Sequence, residues 1–305
     1  PKMTKTIVKR GVTELVTPGV AMNDEVLQAK TNNFLAALHF GKKVIGISFL
    51  DISTGEFLIA EGNDEYIDKL LQNFNPSEVL VQKQYKTKFK ELFGERYYSF
   101  YLDDWIFQKD YAEESLTDHF KTKTMKGFGV DDLQTGLISA GAVLYYLSET
   151  QHSNLDHISS IHRVLEDHYL WMDRFTIRNL ELYYSNSPEA VTLLDVIDRT
   201  ISPMGGRLLK RWLALPLKNL KQIQKRHDIV KYLIDNDSFY DKAIYQIKQI
   251  SDIERLISKA ATGKIDNCLF SFRNMARQDG LLTLRVRAAR LRRLSNKPFE
   301  SEVRM

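Results

Sequence analysis

A change of apolar spacing near residue 165 constrains this chain more than any other feature of its sequence. Upstream, short apolar runs alternate with turns. KVIGISFL at 43–50 and EFLIA at 56–60 flank the hairpin-like Asp51-Ile-Ser-Thr-Gly55, and EVLVQ at 78–82 and a run at 97–102 follow. Buried strands are expected at each, because runs this short, bounded by Gly, Asp, Asn or Ser, suit strands better than helices. Tyr66, Ile67, Leu70, Leu71 and Phe74 repeat at helical spacing up to Asn75-Pro76. Leu133, Leu137, Ala140, Leu144 and Leu147 do the same after the turn Gly127-Phe-Gly129. The alternation predicts an α/β domain over 21–160, a mixed sheet with covering helices.

Downstream the spacing becomes mostly three and four. Residues 169–172 read as one last strand, after which a mainly α-helical domain is expected over 161–265. Ser202 before Pro203 predicts a capped helix running through Trp212 and ending before Pro216. A second helix is expected over 220–234. A third helical stretch is expected from about 239 to 259, with Ile244, Ile247, Ile250, Ile253, Leu256 and Ile257 at spacings of three and four. On the helix after Pro203, Arg207, Lys210 and Arg211 share a sector opposite Leu208, Leu209, Trp212 and Leu213. Three cations so placed suit phosphate contact, or else a solvated helix face that stabilises the carboxyl end.

The net charge of +4 does not by itself point to nucleic acid, because it is unevenly distributed. Residues 266–305 carry nine Lys or Arg against four Asp or Glu, leaving 34 basic and 35 acidic residues in 1–265. The basic pI thus belongs to the tail, which reads as a surface helix, a segment of different origin or a nucleic-acid-binding arm. One cysteine, Cys268, allows no internal disulfide and has no CxxC partner. No run of eighteen apolar residues spans a membrane. Residues 1–20, with a β-like run at 6–10 and the breaker Thr17-Pro18-Gly19, read as the end of a preceding domain, and a cytoplasmic protein is expected.

Motifs for chemistry are few. There is no GxxxxGK[ST] phosphate loop, no strand-linked GxGxxG and no HExxH. His152, His157, His162 and His168 are spaced by five, five and six, which does not gather them on one helical face for a metal. The sharper candidate is Asp51, a carboxylate ending a strand, with Glu78 and Asp103-Asp104 near other strand ends. A ribonuclease-H-like metal-dependent nuclease needs three or four such carboxylates converging on two divalent ions. Against it, Asp in Asp-x-Ser-Thr-Gly is the ordinary residue for a turn that hydrogen-bonds its own backbone.

The most specific text is Arg178-Asn-Leu-Glu-Leu182, Thr192-Leu-Leu-Asp-Val-Ile-Asp-Arg-Thr200 and Met204-Gly-Gly-Arg-Leu-Leu-Lys-Arg-Trp-Leu213. It continues through Pro216-Leu217, Arg226 and Asp252-Ile-Glu-Arg-Leu256. Together these resemble the first half of the core, or lever, domain of the MutS family of DNA mismatch-repair proteins. Asp51-Ile-Ser-Thr-Gly-Glu-Phe57 and Gly127-Phe-Gly129 resemble that family's connector domain, and Val16-Thr-Pro-Gly19 the exit from its mismatch-binding domain. The resemblance implies the end of the mismatch-binding domain at 1–20 and a ribonuclease-H-like connector without a nuclease site at 21–160. It further implies the first part of the helical lever at 161–265, followed by an Arg-rich tail, 266–305, that does not match the family.

In the whole family protein a homodimer encloses mismatched double-stranded DNA, ATP and Mg are used at distant sites, and MutL is recruited. For this chain the resemblance implies a linking and transmitting piece with no catalytic, cofactor-binding or metal residue of its own. It places MutL docking on a helix at about 112–120, through Glu114, Ser115 and Asp118, which otherwise form a solvated face; the phosphate contact of Arg207, Lys210 and Arg211 rests on their shared helix sector and not on the family. The purified 305-residue chain is therefore expected neither to hydrolyse ATP nor to prefer mismatched over matched duplex. ATP turnover that copurifies with the chain through successive columns would overturn that expectation.

Overall fold

The computed structural model describes residues 15–263 apart from Asp24, Gln151, Ser153, Tyr184, Asn186 and Pro188. The β-like run at 6–10 and the Arg-rich segment 266–305 lie outside the described residues.

The first domain is a sheet covered on both faces. Its strands are β1 (Leu35–Phe40), β2 (Ile45–Asp51), β3 (Glu56–Gly62), β4 (Glu78–Gln82), β5 (Ser99–Leu102) and the short β6 (His162–Arg163), in the order β5-β4-β1-β2-β3-β6. β2 runs antiparallel to both β1 and β3, whereas β4 lies parallel to β1, β5 to β4 and β6 to β3. Helices α1 (Asp64–Phe74) and α2 (Lys86–Phe93) cover one face; α3 (Lys109–Phe120) and α4 (Gln134–Glu149) cover the other.

The two-residue period of a strand sorts the side chains between two cores. Ala36, Leu38, Ile47, Phe49, Ala60, Val79 and Val81 face α1 and α2 with Ile67, Leu70 and Phe89. Leu35, Ala37, Phe57, Ile59 and Leu80 face α4 with Leu137, Ala140 and Val143. Burial on both faces makes the strands apolar throughout rather than alternating. This explains why β1 (Leu-Ala-Ala-Leu-His-Phe) carries no clear strand signal: Ala and Leu are helix formers, and only the sheet decides their conformation.

Glycines set how closely α4 approaches. A Cβ at Gly46 of β2 would lie 2.1 Å from the backbone carbon of Thr135, and one at Gly141 would lie 2.7 Å from Cα of Ala112 in α3. Glu78, fully buried at the start of β4, anchors the entry segment: it accepts hydrogen bonds from Thr17 Oγ1, from Gly19 N at 3.0 Å and from Tyr146 Oη at 2.7 Å.

The helical region comprises α5 (Arg174–Asn179), α6 (Leu193–Ile197), α7 (Pro203–Ala214), α8 (Leu220–Asp235), α9 (Asp237–Lys248) and α10 (Ile253–Ala261). The cap at Ser202 with Pro203 at N1 is present, Ser202 Oγ accepting from Gly205 N at 3.1 Å. Two expectations need correction. Residues 169–172 make one isolated bridge, Tyr169 to Leu217, rather than a strand. The helical stretch expected from about 239 to 259 is divided into two helices, because Asp252 leaves the helical path to cap α10, accepting from Arg255 N. None of the described residues of α8 and α9 is buried: Val230, Ile234 and Phe239 are all exposed.

Gly46→Ala is expected to lower the stability of the sheet domain by about 1–3 kcal/mol, since the new methyl meets main chain that cannot rotate away. Urea unfolding followed by tryptophan fluorescence measures it; an unchanged midpoint would contradict the close packing.

Candidate functional site at the junction of sheet and helices

α7 lies against the loop that precedes β1. Gly206 permits the approach, since a Cβ there would sit 2.6 Å from Cγ of Lys30. One residue on, Arg207 turns its guanidinium into the junction, where it is 3% exposed. Nη1 donates to Ala29 O at 2.8 Å and to Asp252 Oδ2 at 2.8 Å. Nη2 donates to Asp252 Oδ1 at 2.7 Å and to Glu254 Oε2 at 2.6 Å, and Nε to Glu254 Oε2 at 3.2 Å. Five contacts match the five N–H donors of a guanidinium, and the pair with Asp252 is bidentate. Burial on its own would make this arginine easier to deprotonate; Asp252 and Glu254 outweigh it and hold the charge.

Neighbouring groups extend the network. Burial would raise the Asp252 carboxyl, but the hydrogen bonds and charge of Arg207 hold it below the usual range. Arg255 of α10 donates to Gln28 O at 3.0 Å and to Thr31 O at 2.8 Å. Lys30 returns the contact, its ammonium 3.0 Å from Asp198 and from Thr200 O. Arg211 pairs with Glu56 at the start of β3. Asn32 Nδ2 bridges Glu56 Oε2 at 3.4 Å and Asp51 Oδ2 at 2.8 Å. Burial pushes the Glu56 carboxyl up, and Arg211 opposes this only in part. Main-chain oxygens of 28–31 and side chains of α7 and α10 thus fasten the helices to one end of the sheet.

This arrangement corrects the orientation expected for α7. The cations turn toward the sheet: Arg207 is buried, and Lys210 and Arg211 are half-buried. Leu208 and Trp212 of the apolar sector are the exposed residues, with Arg226 3.6 Å above the Trp212 ring. The three cations therefore do not form one solvent-facing row for a nucleic-acid backbone, because carboxylates and carbonyls inside the molecule already take Arg207 and Arg211.

Asp51 sits in a closed turn. It is fully buried; Oδ1 accepts from Ser53 N at 2.9 Å and Ser53 Oγ at 2.7 Å, and Oδ2 from Asn32 and from Asn33 N at 3.2 Å. Glu78 is engaged by Thr17, Gly19 and Tyr146, and Asp103 pairs with Lys83. These carboxylates do not converge, and no group of three potential metal ligands occurs among the described residues. His157 and His119 instead meet main-chain oxygens, Ile52 O and Ile158 O, both at 2.8 Å, and burial holds both rings below the usual histidine range.

The helix expected at 112–120 is α3, starting three residues earlier. Ala112 and Leu116 are buried toward α4; Glu114 and Asp118 are exposed and Ser115 is half-buried. Trp105, Tyr111 and Tyr145 pack edge to face beside it, with ring centres 5.3–6.1 Å apart.

Comparison with known proteins covers both parts. Residues 33–159 match the family model described as MutS domain II, and residues 175–302 the one described as MutS domain III. The second match runs through most of the Arg-rich segment, a different limit from the residue 265 expected from the motifs. Proteins named DNA mismatch repair protein MutS from Flavobacterium psychrophilum and Christiangramia forsetii are each 68% identical over 265 residues, 87% of this chain. That from Flavobacterium johnsoniae is 70% identical over the same length. The chain spans about 31%, 30% and 30% of these relatives.

Arg207→Ala is expected to destabilise the chain by about 1–3 kcal/mol, because it removes the guanidinium's contacts and leaves the half-buried Asp252 without its counter-charge. Arg207→Lys is expected to recover little, since an ammonium cannot reproduce the fork. Because the folded Asp252 carboxyl lies below its unfolded value, its contribution is complete above about pH 4 and is lost as pH falls through the folded value. Urea midpoints between pH 3 and 7 test this; equal acid sensitivity in wild type and Asp252→Asn would contradict it.

Proposed function

The chain belongs to the MutS family, and from that premise we propose that it is the connector and first lever portion of a DNA mismatch-repair protein. In this reading the sheet domain is the connector and carries a ribonuclease-H-like fold. The antiparallel β1-β2-β3 meander, extended by parallel β4 and β5 beyond β1, supports it. The portion links mismatch-reading and ATPase regions and passes conformational change between them. DNA binding, ATP and Mg use and homodimer formation belong to the whole family protein, which works in the cytoplasm. Among the described residues no helix is long and apolar enough to cross a membrane.

The observation that carries the linking role is the five-contact guanidinium of Arg207, which holds α7, α10 and the loop before β1 in one unit. A displacement of α7 or α10 must either move that loop or break the bidentate pair between buried Arg207 and half-buried Asp252. A stiff element joined in this way transmits displacement through a defined contact rather than through diffuse packing.

Docking of MutL is assigned to α3, where Glu114 and Asp118 offer exposed carboxylates on a helix held rigidly by its Ala112–Gly141 contact, with Ser115 at the margin. Charge at a rim acts mainly on encounter and specificity, so reversing two charges is expected to weaken capture severalfold and to change its salt dependence. MutL pull-down with Glu114→Lys/Asp118→Lys, unfolding midpoint checked, is the test. Undiminished capture would remove α3 from the docking surface.

A further inference from the structure

The sheet ends at β5, which pairs with β4 alone; no described strand takes its other edge. Val79 N donates to Tyr98 O at 2.9 Å, and the parallel register sets Val79 opposite Ser99 and Val81 opposite Tyr101. A parallel ladder continued from that bond turns the main-chain groups of Phe100 toward β4 and those of Ser99 and Tyr101 outward. Among the described residues the outward N–H and C=O groups of Ser99 and Tyr101 meet no main-chain partner. A groove of about 480 Å³ opens beside them, lined by both residues together with Lys90, Glu95 and Arg96, so this edge is open rather than covered.

Side chains alternate along a strand, and the two faces of β5 differ. Phe100 lies on the α4 side, its ring centre 5.2 Å from that of Tyr146, and Tyr98 shares this side. Tyr98 is 58% and Phe100 42% exposed, so aromatic surface flanks the edge here. Tyr101 lies on the α2 side, packed against the core beneath that helix. The ammonium of Lys86 stands 5.1 Å from the centre of its ring. Lys86 is exposed and, among the described residues, has no carboxylate partner. The other charges at the groove are matched, Lys90 by Glu95 at 2.7 Å and Arg96 by Asp68 at 3.2 Å.

A strand laid beside β5 continues the pleat, so its own side chains fall alternately on the same two faces. Those beside Tyr98 and Phe100 meet aromatic surface, and the one beside Tyr101 meets the unmatched ammonium of Lys86. We propose that β5 is a docking edge, to which an extended segment of a partner protein with alternating apolar and acidic residues adds as a further strand. Main-chain hydrogen bonds to Ser99 and Tyr101 hold the segment, and Lys86 selects an acidic side chain at one position. The β-like run of this chain itself, Thr6-Ile-Val-Lys-Arg10, is cationic and has the wrong sign. The assignment uses none of the α3 carboxylates and stands or falls apart from MutL docking there.

The test is fluorescence anisotropy of the full chain with a labelled peptide of alternating valine and glutamate. Saturable one-to-one binding is expected, at least fivefold tighter than for the same peptide with lysine replacing glutamate. Lys86→Glu is expected to abolish that preference. Two further peptides, N-methylated at the glutamate or at the valine amides, separate strand addition from charge. One should lose at least tenfold and the other stay within about threefold, because only alternate amides of an added strand face β5. In the unaltered protein the unmethylated peptide should slow hydrogen exchange at the Ser99 and Tyr101 amides, read by NMR. Glu114→Lys/Asp118→Lys is expected to bind the peptide as wild type does. Equal binding of the two methylated peptides, no effect of Lys86→Glu, or unprotected amides overturns the proposal. So does tighter binding of a deoxythymidine octamer than of the peptide, which would assign the groove to nucleic acid.

Discussion

The buried guanidinium of Arg207 is the contact on which the relation between sheet and helices depends. A guanidinium at 3% exposure is sustained only where every donor is met and the charge is balanced. Here that requires α7 to expose its Leu208–Trp212 side, α10 to begin at Asp252, and the 28–31 loop to present Ala29 O inward. Each element is thereby held to one placement relative to the others. Replacing this contact by apolar packing would give comparable burial without such a strict geometric demand.

That choice of interaction suits a joint. Hydrophobic faces tolerate sliding, because their attraction is non-directional. A bidentate pair tolerates little, and the polar contacts of Lys30, Arg211 and Arg255 around it share the same directionality. The surrounding charges also make the junction sensitive to its electrostatic setting. Glu56 is raised by burial while Asp252 is held down by Arg207, so acid weakens one side of the network before it affects the other.

Much of this was legible in the residues, and the exceptions have physical reasons. β2, β3 and β4 stand out as apolar runs between turn residues, and α7 and α8 as capped or periodic segments. Ser202-Pro203 is read from two residues because capping is a local interaction. β1 is hidden because a strand buried on both faces loses its alternation, and its Ala and Leu favour helix in isolation. The break before α10 is hidden because the isoleucine period continues through it; Asp252 leaves the helix to meet Arg207, forty-five residues away in the chain. The chemistry at Asp51 was legible as a turn, and Ser53 and Asn33 complete it.

By itself, the sequence determined the α/β-then-helical order, the major helices, the Asp51 turn and the family resemblance, because these rest on local spacing and on motifs contiguous in the chain. Which face of α7 meets the sheet was decided only by the tertiary structure. Helical periodicity distinguishes two sides of an amphipathic helix and predicts the apolar one to be buried; carboxylates and carbonyls gathered from residues 29, 56, 252 and 254 reversed that choice. Likewise the meeting of Lys210 and Asn73 in the lining of one cleft has no trace in the sequence, since 137 positions separate two residues that only folding brings together there.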